Sequence, residues 1–407
     1  MKSGSLVRWR NLTVIFILSF ALPFILGGEY GYSEQVRGIT GDTIKIGAQA
    51  SITGPAADHF TAWVGAMRNY YRNINDQGGI HGRKIQLIVE DTRYSIPLSS
   101  ATFKKLLYKD KIFSLFGPEG TGQTMVLKRQ IEKLKVPSIG ISQAISLVHP
   151  TQRYIFIAAT PYENQISVMF DYLINVLKLE NPRIAVVYLD VEYGNVCLRA
   201  AQERARFYGI QLAGVEVISL MNMDSTSQVL NLKKANADYI IIPMSSEFAI
   251  NVVKTAKKFK LKSIFFGNHY TCEDDILRNL PFSVDNLMGV NSYNSWYDKS
   301  PGMNNLKSIS YKYQPEIDYR IRTYMQGWIS SLVWAEGFKR AGKDLTIEGF
   351  VNALESINKL DTNGICGPIT LGPDDHVAAD YCRIYKADPD KKMLAPITDW
   401  MIPAAKK

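Results

Sequence analysis

The chain has 407 residues, a length that suggests two or three domains. Of these residues 46% are hydrophobic and 21% are charged, which is typical of soluble globular proteins. Its formal net charge is +9, and Lys2, Arg8 and Arg10 near the N-terminus contribute three of these charges. The remaining charge is scattered, and no basic run alternates with aromatic residues, which argues against a nucleic-acid partner.

The N-terminal segment has the pattern of a secretory signal. A positive start is followed by an apolar stretch over residues 12–26 and by Gly27 and Gly28, where a peptidase could cut. We therefore expect residues 1–28 to be a signal peptide and the mature protein to reside in the periplasm or another extracytoplasmic compartment. An uncleaved anchor is the alternative, but the apolar stretch is shorter than the ~20 residues of a spanning helix.

The first third of the chain alternates short apolar runs with amphipathic stretches. Apolar residues recur at helical spacing over residues 60–74, and Gly78 and Gly79 are expected to stop that helix. Predicted strands cover residues 43–48, 85–89, 112–116 and 138–141.

A glycine-rich turn follows the third predicted strand. Gly117, Gly120 and Gly122 allow a tight turn, and a helix is predicted to start near Gln123. Such a helix start presents unpaired backbone N–H groups to an anionic or strongly polar ligand. The order of the glycines does not match a dinucleotide fingerprint, and Gln123 replaces the lysine of a phosphate-binding P-loop, so no nucleotide cofactor is expected. An ordinary loop between strand and helix is the alternative.

A second series of strands and helices follows residue 161. Its predicted strands cover residues 183–189, 211–217, 239–243 and 263–267. Strands alternating with helices predict an α/β fold, and two series predict two lobes, each with a doubly wound parallel sheet. Ligands of such sheets bind beyond the carboxyl ends of the strands, so we expect one cleft between the lobes.

The last third is less regular. Helices are predicted over residues 319–341 and 347–357, followed by a hairpin over residues 366–386. Cys366 and Cys382 would face each other in this hairpin, and we predict that they form a disulfide in an exported protein. The sequence leaves the state of Cys197 and Cys272 open.

Several stretches of the chain together resemble the Leu/Ile/Val-binding type of ABC-transporter solute-binding protein, a type I periplasmic binding protein. The resemblance covers nearly all of residues 42–402. Its motifs stand at residues 51–55, 75–84, 90–91, 116–124, 135–137, 190–194 and 367–369, and the run Asn-Asp-Gln-Gly-Gly-Ile-His-Gly-Arg-Lys at 75–84 is the most specific.

The resemblance implies two lobes joined by three hinge crossings that close on a small solute. The first lobe would hold residues 42–161 and 292–360, and the second would hold residues 162–291 and 361–402. A monomer without cofactor or metal would capture the solute and deliver it to a membrane permease.

The resemblance also implies a ligand site. The turns after the third and fourth strands would bind a ligand carboxylate, and Tyr193 in the second lobe would close over the ligand. The residues of these two turns are Gly120, Thr121, Gly122, Ser142, Gln143 and Ala144. A role for Tyr193 in surface packing is the alternative.

One departure from the family pattern concerns the ligand's ammonium group. Amino-acid-binding members place an acid after the fourth strand of the second lobe, where this chain has Asn268 and His269. These residues favour a solute with hydrogen-bonding oxygens, such as an aromatic or hydroxy acid, an amide or a urea-like compound. An amino acid remains the family default, with Glu247, Glu273 or Asp274 as substitute acids. Asn268 and His269 could also simply cap the following helix.

Glu119 is a further departure, because it brings negative charge to the turn that should receive a carboxylate. It would not do so if its side chain pointed outward.

Two other functions have to be weighed. An enzyme is disfavoured, because the five histidines are dispersed and no hydrolase or metalloprotease motif occurs. A metal site at His269, Cys272, Glu273 and Asp274 is less expected than an ordinary polar loop. A ligand-sensing subunit of a receptor or regulatory system would have the same fold and stays open.

Overall fold

The computed structural model describes Met1 and residues 36–404. The predicted signal peptide, residues 1–28, therefore lies outside the described residues except for Met1. Among the helices in the described part, none is both long and apolar enough to cross a membrane.

The first lobe is built on a five-stranded parallel sheet in the order β2-β1-β3-β4-β5. Its strands are β1 Thr43–Ala50, β2 Lys84–Asp91, β3 Ser114–Phe116, β4 Ser138–Gly140 and β5 Ile155–Ile157. The central strand β1 is buried along most of its length, as a strand covered by helices on both faces should be. The direction of strand addition reverses between β1 and β3, so a crevice opens beyond the carboxyl ends of these two strands.

Six helices belong to this lobe. They are α1 Ala57–Asp76, α2 Ile96–Lys104, α3 Thr121–Lys133, α9 Pro301–Tyr313, α10 Arg322–Ala341 and α11 Ile347–Glu355. Helix α1 ends before Gly78 and Gly79 as predicted, and a Cβ at Gly79 would lie 2.1 Å from the Arg83 carbonyl oxygen. Glycine is therefore required at that turn.

The second lobe is built on a seven-stranded sheet in the order β7-β6-β8-β9-β10-β11-β12. Strands β6 to β10 are parallel, while β11 and β12 are antiparallel additions at one edge. The strands are β6 Ile184–Leu189, β7 Gly214–Ile218, β8 Tyr239–Ile241, β9 Ile264–Gly267, β10 Leu287–Asn291, β11 Arg383–Asp388 and β12 Met393–Pro396. The helices are α4 Tyr162–Asp171, α5 Glu192–Phe207, α6 Thr226–Lys234, α7 Ser246–Lys258 and α8 Asp274–Asn279.

Three shorter helical segments complete the fold. The π-helical turns Lys105–Lys109 and Tyr172–Val176 continue α2 and α4, and Ile145–Leu147 is a 3-10 turn.

Each lobe has its own hydrophobic core. In the first lobe, Trp334 of α10 packs against Phe116 and Phe156, with ring centroids 5.7 Å apart in both contacts. Its indole nitrogen donates a hydrogen bond of 3.0 Å to the Ser114 hydroxyl, so this large aromatic side chain is buried without an unpaired donor. The strand–helix alternation thus produces the predicted α/β architecture with two lobes.

The predicted hairpin over residues 366–386 forms next to its turn but does not extend along both arms. The Thr370 amide donates to the Ala378 carbonyl oxygen at 3.3 Å, whereas the Leu371 amide donates to Ile357 and the Ala378 amide donates to Ile157. Strand β11 pairs instead with β10 and β12. The Gly-Pro-Asp-Asp sequence at 372–375 does form a turn, which an antiparallel bridge between Gly372 and Asp375 closes, but Cys366 and Cys382 lie beyond the paired residues.

The predicted disulfide has to be corrected for the same reason. Cys366 and Cys382 are both free and buried. The Cys366 sulfur lies 3.3 Å from the Gly367 carbonyl oxygen in the first core, whereas the Cys382 sulfur lies 3.9 Å from the Met401 carbonyl oxygen in the second lobe. Cys197 and Cys272 are also free and buried.

The chain passes between the two sheets three times, after β5, after β10 and before β11. The exact lobe boundaries stay predictions, but one stretch departs from them. Ile365, Ile369 and Val377 pack in the first core, although residues 361–402 were assigned to the second lobe.

Candidate functional site

A cavity lies where the carboxyl ends of the strands of both sheets meet. Its lining residues follow β1 to β5 in the first lobe and β6 to β9 in the second, so nearly every parallel strand contributes. The cavity has a volume of about 60 Å³. It is therefore suited to a small solute rather than to a polymer.

Most of the cavity wall is apolar. The aliphatic part consists of Pro55, Ala56, Ile141, Leu189, Val191 and Leu220. The aromatic part consists of Phe60, Tyr94, Tyr162, Tyr193, Phe248 and Tyr270. The rings contact one another, with centroids 4.8 Å apart for Tyr162 and Tyr193 and 5.5 Å apart for Tyr193 and Tyr270. Such a wall binds an apolar or aromatic body by area burial and ring contacts.

A polar end is provided by the turns after β3 and β4. The Thr121 and Ser142 hydroxyls lie 2.7 Å apart and hydrogen-bond to each other. Helix α3 begins at Thr121, and Gly120, the residue before it, has no side chain that could cap the helix. The first backbone N–H groups of α3 are therefore free of a side-chain cap at the cavity edge, where the helix dipole is positive.

Glu119 also lines the cavity, and its side chain points inward rather than outward. The carboxylate accepts hydrogen bonds from the Thr92 hydroxyl and from the Ser99 hydroxyl, the latter at 3.0 and 3.1 Å. Burial raises the pKa of Glu119, and the nearby negative charge of Asp91 adds to this effect, while the hydroxyl donors oppose it.

His59 is the one histidine on the cavity wall. Its Nδ1 lies 2.7 Å from the Thr323 hydroxyl, and its Nε2 lies 3.4 Å from the Ser246 hydroxyl. Burial lowers the pKa of His59 although Asp58 opposes the shift, so the ring is neutral at physiological pH.

The predicted site residues fall into two groups. Gly120, Thr121, Ser142 and Tyr193 line the cavity. Gly122, Gln143 and Ala144 do not: Gly122 lies near Ile96 and Glu192, Gln143 is buried against Gln165, and Ala144 packs with Leu147 in the core.

Asn268 and His269 were predicted to contact the ligand, but the structure places them behind the cavity wall. The Asn268 side-chain oxygen accepts a hydrogen bond of 2.6 Å from the Tyr193 hydroxyl. His269 lies with its Nε2 3.1 Å from the Gln326 side-chain oxygen, and burial lowers the pKa of His269 to about 3. Asn268 thus positions Tyr193, and the neutral His269 contacts the opposite lobe.

The substitute acids do not reach the cavity either. The Glu273 carboxylate accepts the backbone N–H groups of Arg322 at 2.7 Å and Thr323 at 3.1 Å, so it caps the start of α10. Asp274 forms a buried ion pair with Arg322 at 3.5 Å, and Glu247 is exposed. Within residues 36–404, no group of three or more potential metal-binding side chains is close enough to hold an ion.

The lobes contact each other directly beside the cavity. The Tyr270 hydroxyl of the second lobe donates a hydrogen bond of 2.6 Å to the Ile141 carbonyl oxygen of the first lobe. Gln326 of α10 donates to the same oxygen at 2.9 Å while it contacts His269. The Tyr270–Ile141 and His269–Gln326 contacts hold the two lobes together beside the cavity.

Sequence reasoning missed most of the aromatic wall. Tyr94, Tyr162 and Tyr270 are three of 22 tyrosines, so composition does not single them out. Their position does, because each follows the carboxyl end of a parallel strand within a few residues. Applying this positional rule to every predicted strand, and not only to β3, β4, β6 and β9, would have found Tyr94.

Comparison with known proteins gives a consistent result. A family model described as periplasmic binding protein matches residues 43–392. An amino acid binding protein from Pseudomonas aeruginosa is 23% identical over 264 residues, which cover 64% of this chain and 67% of that protein. The chain spans between 51% and 70% of the length of the curated relatives it matches.

Two solved structures are similar over almost their full length. One is a fatty acid ABC transporter substrate-binding protein from Thermomonospora curvata, with a TM-score of 0.82, 22% identity and coverage of 90% of this chain and 94% of that chain. The other is a branched chain amino acid ABC transporter from Thermus thermophilus with bound valine, with a TM-score of 0.82, 23% identity and coverage of 89% and 97%. At these identities the likeness establishes the fold.

Proposed function

Because the chain belongs to the periplasmic binding protein family and has its type I fold, we propose that it is the exported solute-binding component of an ABC transporter. It captures a small solute between its lobes and delivers the solute to a membrane permease. Family membership makes it a binding protein and not an enzyme.

The observation that carries the proposal is the shared cavity. Residues from loops after the strands of both sheets converge on one cavity, so a solute bound there would contact both lobes at once. Contacts with both lobes make solute binding favour the closed arrangement over an open one. A closed shape is what a permease would distinguish from the empty protein.

The names of the relatives support a small organic solute. Two similar proteins are named for amino acids and one for fatty acids. The apolar wall of this cavity is compatible with either type of body, while its small volume favours the smaller molecules.

A thermal-shift screen of ligand-stripped protein tests this function, because a bound solute raises the melting temperature by mass action. Amino acids, amines, short organic acids and amides form the panel. Leu220→Trp places a large ring in the cavity and should abolish the shift. Val217→Trp, at an exposed position of the preceding strand, is the matched control and should keep it. Binding that is equal in both variants would remove the cavity from the function.

Delivery to a permease requires a separate test. Uptake of the solute identified in the screen should be lost when the gene for this protein is deleted, and also when the gene for the permease is deleted. Normal uptake in the first strain would favour the ligand-sensing role.

A further inference from the structure

The charges around the cavity are strongly unequal. Glu119 is its one acidic lining residue and is 1% exposed. His59 is the one lining residue that could become a cation, and its burial keeps it neutral. No Lys or Arg belongs to the lining, and Glu119 forms no ion pair with any residue between 36 and 404.

The hydrogen bonds of Glu119 do not neutralise its charge. Its partners, Thr92 and Ser99, are neutral hydroxyls. Helix α3 starts two residues later, and a helix N-terminus is equivalent to roughly half an elementary charge. A buried carboxylate normally requires a proton, a metal or a cationic partner, because isolated burial of the charge is costly. Glu119 therefore lacks a full counter-charge within the protein.

Three of the four tyrosine hydroxyls of the aromatic wall donate hydrogen bonds within the protein, and Tyr94 is the fourth tyrosine. The Tyr193 hydroxyl donates to Asn268, the Tyr270 hydroxyl donates to Ile141, and the Tyr162 hydroxyl donates to Tyr270 at 3.3 Å. These three donors are used within the protein, so none of them is left for Glu119 or for a ligand. The ring faces carry the negative side of the aromatic quadrupole, which attracts a cation within about 6 Å of the ring centre.

From this arrangement we propose that the solute carries a positively charged nitrogen, which pairs with Glu119 and lies against the tyrosine rings of the cavity. The inference rests on the proposed function and names the solute class for it: a compact amine, a quaternary ammonium compound or an amino acid bound through its ammonium group. Desolvation inside the apolar wall strengthens both the ion pair and the cation–π contacts.

Asn268 and His269 led us to expect a solute that is recognised through its oxygens. That expectation loses its basis because neither side chain lines the cavity. A zwitterion remains compatible with the geometry. A hydroxyl of the Thr121–Ser142 pair, next to Glu119 in the same polar end, would donate a hydrogen bond to its carboxylate while Glu119 pairs with its ammonium group.

Isothermal titration calorimetry with probes of matched carbon skeleton tests the inference. Isobutyl, butyl and benzyl skeletons are each offered as the amine, the trimethylammonium compound, the α-amino acid, the carboxylate and the amide. Within the skeleton that binds best, a probe with a positive nitrogen should bind at least tenfold more tightly than the carboxylate and the amide. This ranking is measured on the unmodified protein and does not depend on any variant.

Glu119→Gln provides the second measurement. It keeps the size of the side chain and an oxygen for the two hydroxyl donors, and it should weaken binding of the cationic probe at least tenfold. Glu192→Gln, which removes an acid outside the cavity lining, should leave the affinity within twofold. If only carboxylates or amides bind, or if Glu119→Gln binds the cation normally, the inference is overturned while the proposed function stands. If no probe of any charge binds, both fail.

Discussion

Thr121 and Ser142 form the polar end of the cavity, and we expect their hydroxyls to contribute to affinity. Replacing Thr121 with valine keeps the shape but removes the hydroxyl that bonds to Ser142 and faces the cavity. A polar ligand atom left without its donor in a dry site costs about 1–3 kcal/mol, which corresponds to a 5- to 150-fold weaker Kd. Calorimetry with the solute from the screen should show this loss.

The matched control for this substitution is Thr124→Val. Thr124 lies one turn further along α3, and its hydroxyl bonds to the Gly120 carbonyl oxygen at 2.8 Å without lining the cavity. It should change the free energy of unfolding but not the Kd. Equal affinities of wild type and Thr121→Val would exclude the Thr121 hydroxyl from the site.

The buried carboxyl group of Glu119 predicts how the free energy of unfolding depends on pH. Burial raises its pKa above the ordinary value of 4.5, so the folded protein binds more protons than the unfolded chain once the pH exceeds that value. Stability contributed by the protonated group is therefore present at pH 4 and is lost as the pH rises through the folded pKa. Glu119→Gln should raise the free energy of unfolding of ligand-free protein more at pH 7 than at pH 4.

Urea unfolding at the two pH values measures this difference. Glu192→Gln, at a partly exposed acid paired with Arg199 at 2.7 Å, is the control for simple loss of a negative charge. A benefit of Glu119→Gln that is equal at both pH values would contradict the assigned environment of this carboxyl group.

Individual site residues were only partly predictable. Thr121, Ser142 and Tyr193 could be found because each stands in a motif that follows a strand. Asn268 and His269 follow strand β9 in the same way, yet they turn away from the cavity and Tyr270 takes the lining position. Sequence order identifies the loop, but tertiary hydrogen bonds such as Tyr193 to Asn268 decide which of its side chains faces the cavity.

At the scale of elements, helices α1 and α10 pack closely because of one glycine. A Cβ at Gly327 of α10 would lie 2.4 Å from the Trp63 carbonyl oxygen and 3.0 Å from the Ala66 Cβ. Gly327→Ala should therefore lower the free energy of unfolding by about 1–3 kcal/mol, as overpacking of a core does. Denaturant unfolding measures the change.

Gly65 of α1 supplies the contrasting control. A Cβ there would meet the nearest atom, of Tyr324, at 3.8 Å, which is ordinary contact. Gly65→Ala should be neutral or stabilising by up to about 1 kcal/mol, because alanine has the better helix propensity. A stability gain in Gly327→Ala equal to that in Gly65→Ala would show that the two helices do not approach as closely as described.

The cysteines allow a test of the corrected last segment. Cys366 and Cys382 should be found as free thiols in a non-reduced digest analysed by mass spectrometry. In the native protein they should react slowly with thiol reagents, because burial raises the pKa of Cys366 to about 12 and also raises that of Cys382. A peptide pair joined by Cys366 and Cys382 would restore the predicted disulfide and contradict the described packing.

The elements themselves were largely predictable where strands and helices alternate regularly. The main strands of both series were placed within a few residues, since long apolar runs bounded by turn residues leave little choice. The sequence did not predict the short strands β5, β10 and β12, or the partners of the two hairpin arms. Local sequence reports a turn at Gly372, but pairing with Ile157 and Ile357 is a property of the whole fold.

At the scale of the whole molecule, the account requires two lobes that open and close around the cavity. The lobes are in contact through the hydrogen bond from Tyr270 to Ile141 and through the contact between His269 and Gln326, and the cavity lies between them. Opening of the lobes would break these contacts, and closing on a solute would reform them. Solute binding should shift the population toward the closed arrangement, because only that arrangement provides both walls.

Small-angle X-ray scattering of ligand-stripped protein, with and without the saturating solute from the thermal-shift screen, tests this central claim most directly. The account predicts a smaller radius of gyration with solute, and no decrease when the same solute is added to Leu220→Trp. An unchanged radius of gyration in the wild-type protein, under conditions where calorimetry shows full binding, would contradict closure of the lobes around the cavity.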